Sequence, residues 1–142
     1  MNAYGRWLRW ILLAVGAVIL TALGTAAMPH SWMDATHRRL GLGELPDIPI
    51  VGYLTRSASL LYAWHGAILV YISFDVARHL GLLRFLAALG LVFGAFMIIL
   101  DGSVGMPLSW TLFEGPSIIV SSAAMGWLAL RAGPAAEGGN SS

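Results

Sequence analysis

Arg56, Asp101 and Glu114 are the residues of this chain whose types and positions best suit chemistry, because each lies within or at the end of a long apolar run. A lone charge a turn or more below a membrane interface costs about 2.5 to 3.5 kcal/mol on insertion scales, so such groups seek partners. All three positions fall at one membrane face if the runs alternate in direction, and an arginine fork can donate paired bonds to each of two carboxylates. Two readings follow. In one, the trio is a salt-bridge staple joining the second, third and fourth runs. In the other, one arginine against two carboxylates leaves a negative charge unmatched, which makes a proton-accepting or cation-binding group and a possible ligand site. Asp101-Gly102-Ser103-Val104-Gly105 supplies a flexible turn with oxygen ligands, but its spacing is not that of a calcium loop. Glu114-Gly115-Pro116 is expected to break or kink the fourth run and expose backbone carbonyls.

The histidines raise metal and haem chemistry. His30, Asp34 and His37 recur at i, i+4 and i+7, which puts them on one helical face with a spacing able to hold a divalent metal. That face is opposite Trp32, so a solvated polar surface is the favoured reading, and the three remain weak metal candidates. His65 is the only histidine deep in a run. Bis-histidine haem would need a second on another helix, so His65 is expected to hydrogen-bond a serine, threonine or carbonyl of a neighbouring span. His79 beside Arg78 suits the negative pole at the end of the second run. Tyr53, Tyr62, Trp64, Tyr71, Phe93, Phe96 and Phe113 could line a quinone or lipid pocket, although packing and lipid-facing roles are commoner for such residues. No cofactor is predicted; a bound lipid or quinone is the one small-molecule option left open.

These residues are held by four apolar runs, about 8–27, 53–74, 82–100 and 110–130, each near the 20 or so residues that a helix needs to cross hydrocarbon. With 142 residues, 58% hydrophobic and 11% charged, the chain reads as an all-α membrane protein, one domain over 1–132 forming a bundle of four transmembrane helices. A short amphipathic helix over about 30–41, with Trp32, Met33, Thr36 and Leu40 on its apolar side, is expected to lie on the interface between spans one and two. Residues 133–142, rich in Gly, Ala and Ser, read as a disordered tail. The N-terminus has the parts of a secretory signal, yet its apolar stretch from Trp10 to Ala27 exceeds the usual length and reads as a retained first span. The absence of cysteine excludes disulfide, thiolate-metal and dithiol chemistry. A net charge of +1 without lysine gives no nucleic-acid surface. Arg6, Arg9, Arg78, Arg84 and Arg131 share the face of both termini, against Arg38, Arg39 and Arg56 on the other, so the positive-inside rule expects cytoplasmic termini in a bacterial inner membrane. Trp7, Trp10 and Trp127 would then mark the inner interface, Trp32 and Trp110 the outer.

Small residues mark expected helix contacts: Gly90 and Gly94 in span three, Ala17, Thr21 and Thr25 in span one, Ser117 and Ser121 in span four. They serve packing within the chain or a homo-oligomer seam through span three. Pro49-Ile50-Val51-Gly52-Tyr53-Leu54-Thr55-Arg56-Ser57, Asp101-Gly102 and Glu114-Gly115-Pro116 together resemble uncharacterised bacterial four-span inner-membrane proteins, and more remotely the DoxX-like group. The resemblance covers spans two to four and implies a four-helix inner-membrane bundle with Arg56, Asp101 and Glu114 as its polar positions; the thiol-linked roles of some DoxX relatives find no cysteine here. With almost no extramembrane mass and no nucleophile or phosphate-binding loop, the expected function is a non-catalytic accessory or assembly subunit of a larger membrane complex. Its partners would be membrane lipids and other membrane protein subunits or a second copy. The rival is a membrane-embedded enzyme or carrier that binds a lipid, quinone or ion at the Arg56, Asp101 and Glu114 pocket.

Overall fold

A computed structural model describes residues 2–133; the tail expected over 133–142 falls outside them apart from its first residue. The described chain is helical, with four stretches long and apolar enough to cross a membrane: Ala3–Ala26, Pro49–Phe74, Ala77–Val104 and Leu108–Arg131. Each extends beyond the run that hydropathy marks. The chain is a multi-pass helical membrane protein.

Local chemistry sets the helix ends. Helix α1 (Ala3–Leu20) starts where the Asn2 side chain accepts from the Gly5 N–H at 2.9 Å. It is interrupted at Thr21, whose hydroxyl donates to the Val18 carbonyl at 2.6 Å, and resumes as α2 (Ala22–Ala26). Such back-bonding by threonine bends helices. Helix α4 (Pro49–Phe74) opens on Pro49, where a missing N–H leaves nothing unsatisfied. A 3-10 turn over Ala77–His79 leads into α5 (Leu80–Val104). That helix stops at Gly105, whose φ of 75° is a left-handed conformation, with the Gly105 and Met106 N–H groups both donating to the Asp101 carbonyl. Helix α6 (Leu108–Arg131) continues through Pro116. The expected break at Glu114-Gly115-Pro116 is absent, because a proline inside a helix removes one bond while its neighbours keep theirs.

The helices associate as two close pairs. One pair is α1 and α2 against α4, the other α5 against α6, and α1 also reaches α6. Between α4 and the α5/α6 pair the backbones stand apart. The pairs meet at the end that carries both termini, where Leu8, Leu12, Leu69, Ile72, Val76, Leu83, Leu128 and Ala129 form the buried core. Asn2 Nδ2 donates to the Arg131 carbonyl at 3.0 Å, and Arg84 donates to the Ala129 carbonyl, at this same terminal end.

Glycine permits the closest approaches. A Cβ on Gly66 would lie 2.7 Å from the Gly16 carbonyl oxygen and 2.7 Å from the Leu20 nitrogen, so α1 and α4 touch backbone to backbone. In the second pair a Cβ on Gly94 would come within 3.0 Å of the Gly115 oxygen, and one on Gly90 would overlap the Ser122 side chain. Gly90 and Gly94 are therefore covered by α6 of the same chain, and a homo-oligomer seam through them would have to displace that helix. The small-residue stripes expected elsewhere are not the contacts used. Ala17 and Thr21 are exposed, and α1 packs instead through Gly5, Leu8, Leu12 and Gly16.

Helix α3 (His30–Arg39) lies between the first two spans, and the face it turns inward carries His30, Asp34 and His37 together with Met33 from the expected apolar side. Met33 is buried and Trp32 is exposed. The reason is the chain that follows. Gly41 and Gly43, both at positive φ, turn it back across α3, so that Leu45 N–H donates to Asp34 at 2.9 Å and Arg38 bonds both Asp34 and Glu44.

Candidate cleft between the helix pairs

The separation of the two pairs leaves a cleft of about 1520 Å³. Its floor lies over the terminal core, at Leu12, Leu69, Leu86 and Met125, and its rim lies at Ala58, Ser109 and Trp110. Along α6 it runs from Ser109 to Met125, about 24 Å at the helical rise. The walls are apolar and aromatic, and Leu61, Phe93, Phe96 and Phe113 remain exposed along its side. In a bilayer that side faces lipid.

Few polar groups enter it, and they are ordered. On α4, Tyr62 and His65 are spaced i, i+3; on α6, Glu114, Ser117 and Ser121 are spaced i, i+3 and i+7, so each set shares one helical face. Trp110 Nε1 donates to Glu114 Oε2 from one turn earlier on α6. Ser117 and Ser121 return their hydroxyls to the carbonyls of Glu114 and Ile118, which leaves their oxygens as acceptors. His65 makes no hydrogen bond among the described residues, contrary to the neighbour expected for it, because the cleft keeps α5 and α6 out of its reach.

The same separation prevents the expected meeting of Arg56, Asp101 and Glu114. Arg56 Nη1 and Nη2 donate instead to the carbonyls of Gly52 and Met28, each at 3.3 Å. It thus ties α4 to the chain just beyond α2, at the wall of a smaller hollow of about 420 Å³ with His30, Asp47 and Tyr53. Asp101 is 3% exposed, and its Oδ2 is buried without a hydrogen-bond partner. The arginine–carboxylate pairs among the described residues, Arg38 with Asp34 and with Glu44, lie outside the spans, as does the approach of His30 to Asp47. The staple is therefore built from an arginine and backbone carbonyls, and the two carboxylates stand apart from it.

His30, Asp34 and His37 are not gathered into a metal site, and no group of three or more His, Cys, Asp or Glu residues is so placed among the described residues. Asp34 and His37 are engaged locally, while His30 Nε2 is buried without a hydrogen-bond partner. His30 Nε2 lies 3.8 Å from Asp47, and His37 Nδ1 lies 3.2 Å from the Gly43 carbonyl. The Leu45 N–H holds the Asp34 carboxyl below the usual range, with Arg38 assisting and partial burial opposing.

Sequence reasoning missed the cleft itself. It assigned Ser117 and Ser121 to packing, whereas the buried α5-facing positions are Gly115 and Ser122. The detectable signal was the shared face of Glu114, Ser117 and Ser121. Comparison with family models, curated proteins and solved structures gives no match, so the chemistry of the cleft rests on its own residues.

Proposed function

We propose that the protein holds a long-chain amphiphile, such as a membrane lipid or an isoprenoid-type lipid, in the cleft between its helix pairs. The observation that carries this reading is the cleft: about 1520 Å³, mostly apolar, open at its side, with Trp110 and Glu114 toward its rim and a short row of hydroxyls continuing along the same wall. Small-molecule sites usually measure about 300–1,000 Å³ with a few convergent polar groups, so this one suits a ligand with a chain. A chain would lie along the 24 Å or so of α6 between Ser109 and Met125, and a head would reach Trp110 and Glu114. Nothing in the reading requires a chemical step. A carrier or a lipid-holding scaffold needs only binding and release.

A second reading, an accessory subunit of a larger membrane complex, is favoured by the small amount of chain outside the spans, which among the described residues is mainly α3 and the segment to Ile48. In both readings the termini are assigned to the cytoplasm of a bacterial inner membrane, on the strength of the five arginines Arg6, Arg9, Arg78, Arg84 and Arg131 at the terminal end. The test is lipid analysis by native mass spectrometry after gentle detergent extraction, on the unaltered protein and on Ser117→Trp. Ser117 is exposed on the cleft wall, so the indole would enter the cleft without displacing core residues. A retained amphiphile that Ser117→Trp loses supports the reading; retention equal in both overturns it. A stoichiometric copurifying membrane protein would favour the accessory subunit.

A further inference from the structure

The geometry points to an amphiphile with a cationic head, a quaternary or protonated amine on a hydrocarbon chain, as the occupant of the cleft, with Glu114 as its counter-charge. This rests on the reading of the cleft as an amphiphile site and specifies its ligand.

Three observations converge. Glu114 is a carboxylate on the wall of an apolar cavity within a membrane span. All eight basic residues of the chain are arginines and all lie among the described residues, yet none forms an ion pair with Glu114. The arginine best placed by sequence, Arg56, donates to two backbone carbonyls on the far side of α4 instead. A carboxylate at such depth is costly unless a positive charge or a proton matches it. The protein sets neither an arginine nor a lysine against Glu114, which leaves a bound proton or the occupant's own charge, and only the second also uses the aromatic residues of the cleft.

The surroundings fit a soft organic cation better than a metal ion. Tyr62, Trp110 and Phe113 line the same cleft as Glu114. Aromatic faces attract ammonium groups through their quadrupoles, and a carboxylate added to such a set is the usual recognition of alkylated amines. A hard divalent cation favours several charged oxygen ligands, and no group of three or more His, Cys, Asp or Glu residues is gathered among the described residues. The Trp110 indole, by donating to Glu114 Oε2, fixes the carboxylate and leaves its second oxygen for the head. His65, further along the wall, adds no positive group that would repel the head so long as its imidazole is neutral.

The experiment uses the full chain in vesicles of digalactosyl diacylglycerol, an uncharged lipid without an amine in its head. Two spin-labelled probes with the same hexadecyl chain are compared, one with a quaternary ammonium head and one with a neutral amide head. The motionally restricted fraction of each is read by electron paramagnetic resonance. The cationic probe should be restricted at least 5-fold more strongly than the neutral one. Glu114→Gln, which keeps the acceptor for Trp110, should remove that preference, and Glu114→Asp should keep most of it. Equal restriction of the two probes, or a preference that survives Glu114→Gln, overturns the cationic head. Ser117→Trp separates this failure from failure of the cleft reading: it should lower restriction of both probes if chains enter the cleft. If it changes neither probe, the cleft is not an amphiphile site and the inference falls with it.

Discussion

Adding one methyl group at Gly66 should pry the first helix pair apart. A Cβ there would sit 2.7 Å from the Gly16 oxygen, 2.7 Å from the Leu20 nitrogen and 3.2 Å from the Ile19 carbonyl carbon. All three are backbone atoms of α1, so no side chain can rotate away. To restore ordinary contact near 3.4 Å, α1 must retreat by about 0.7 Å. A gap of that size forfeits about a quarter to a half of each neighbouring dispersion contact, and Leu12, Leu69 and Ile72 lie along the same helix pair. Overpacking of this kind costs about 1–3 kcal/mol, which is roughly a 5- to 150-fold loss in the folding equilibrium. The assay is reversible unfolding in mixed micelles with increasing sodium dodecyl sulfate, followed by circular dichroism. Gly81→Ala is the control: Gly81 is also helical, but a Cβ there meets nothing within 4 Å. That variant should be neutral or gain up to about 1 kcal/mol from helix propensity. If Gly66→Ala unfolds at the same point as Gly81→Ala, α1 and α4 do not touch backbone to backbone and the helix pairing described above is wrong.

Other outcomes follow from single contacts. Asp34 has a depressed pKa through the Leu45 N–H, so its stabilisation of the loop is complete above the unfolded value of about 3.9 and is lost as pH falls through the lower folded value. Normalised amide-exchange protection at Leu45 should therefore fall in acid, and Asp34→Asn should flatten the profile; protection that rises in acid would contradict the contact. Asp101→Asn should leave thermal stability unchanged or raise it, since one carboxylate oxygen is buried without a donor. A loss above about 1 kcal/mol would mean that the carboxylate is bound in a way the fold does not provide. Gly105→Ala should cost about 1–2 kcal/mol because φ is 75° there, and Gly105→Asn should cost less; equal stability of all three by thermal unfolding would count against a left-handed turn.

Span number and rough span limits were legible because hydropathy is a property of composition over a window, and window averages survive ignorance of packing. Helix ends were partly legible: Pro49 and Gly105 announce a start and a stop by backbone chemistry alone. Partner choice was not. The expected meeting of Arg56 with Asp101 and Glu114 assumed that charges at one depth come together, but depth fixes only one coordinate. The other two are set by which small residues let helices approach, and Gly16 and Gly66, unlike Gly90 and Gly94, carry no local repeat that advertises their contact. The inward turn of the α3 polar face was hidden for a different reason. An amphipathic pattern says that a helix has two faces, while the loop at Gly41 to Leu45 decides which one meets protein.

The joining of the two helix pairs at one end only has a mechanical consequence. Leu8, Leu12, Ile72 and Leu83 form a pivot, and the walls beyond it act as lever arms about 24 Å long. Over such an arm a rotation of about 5° displaces the tips by roughly 2 Å, a movement comparable to the small interface shifts that switch proteins amplify. Packing at the pivot and aperture at the mouth are then two readings of one angle. A methyl group removed from Leu12 would be felt most at Trp110, at the opposite end of the molecule.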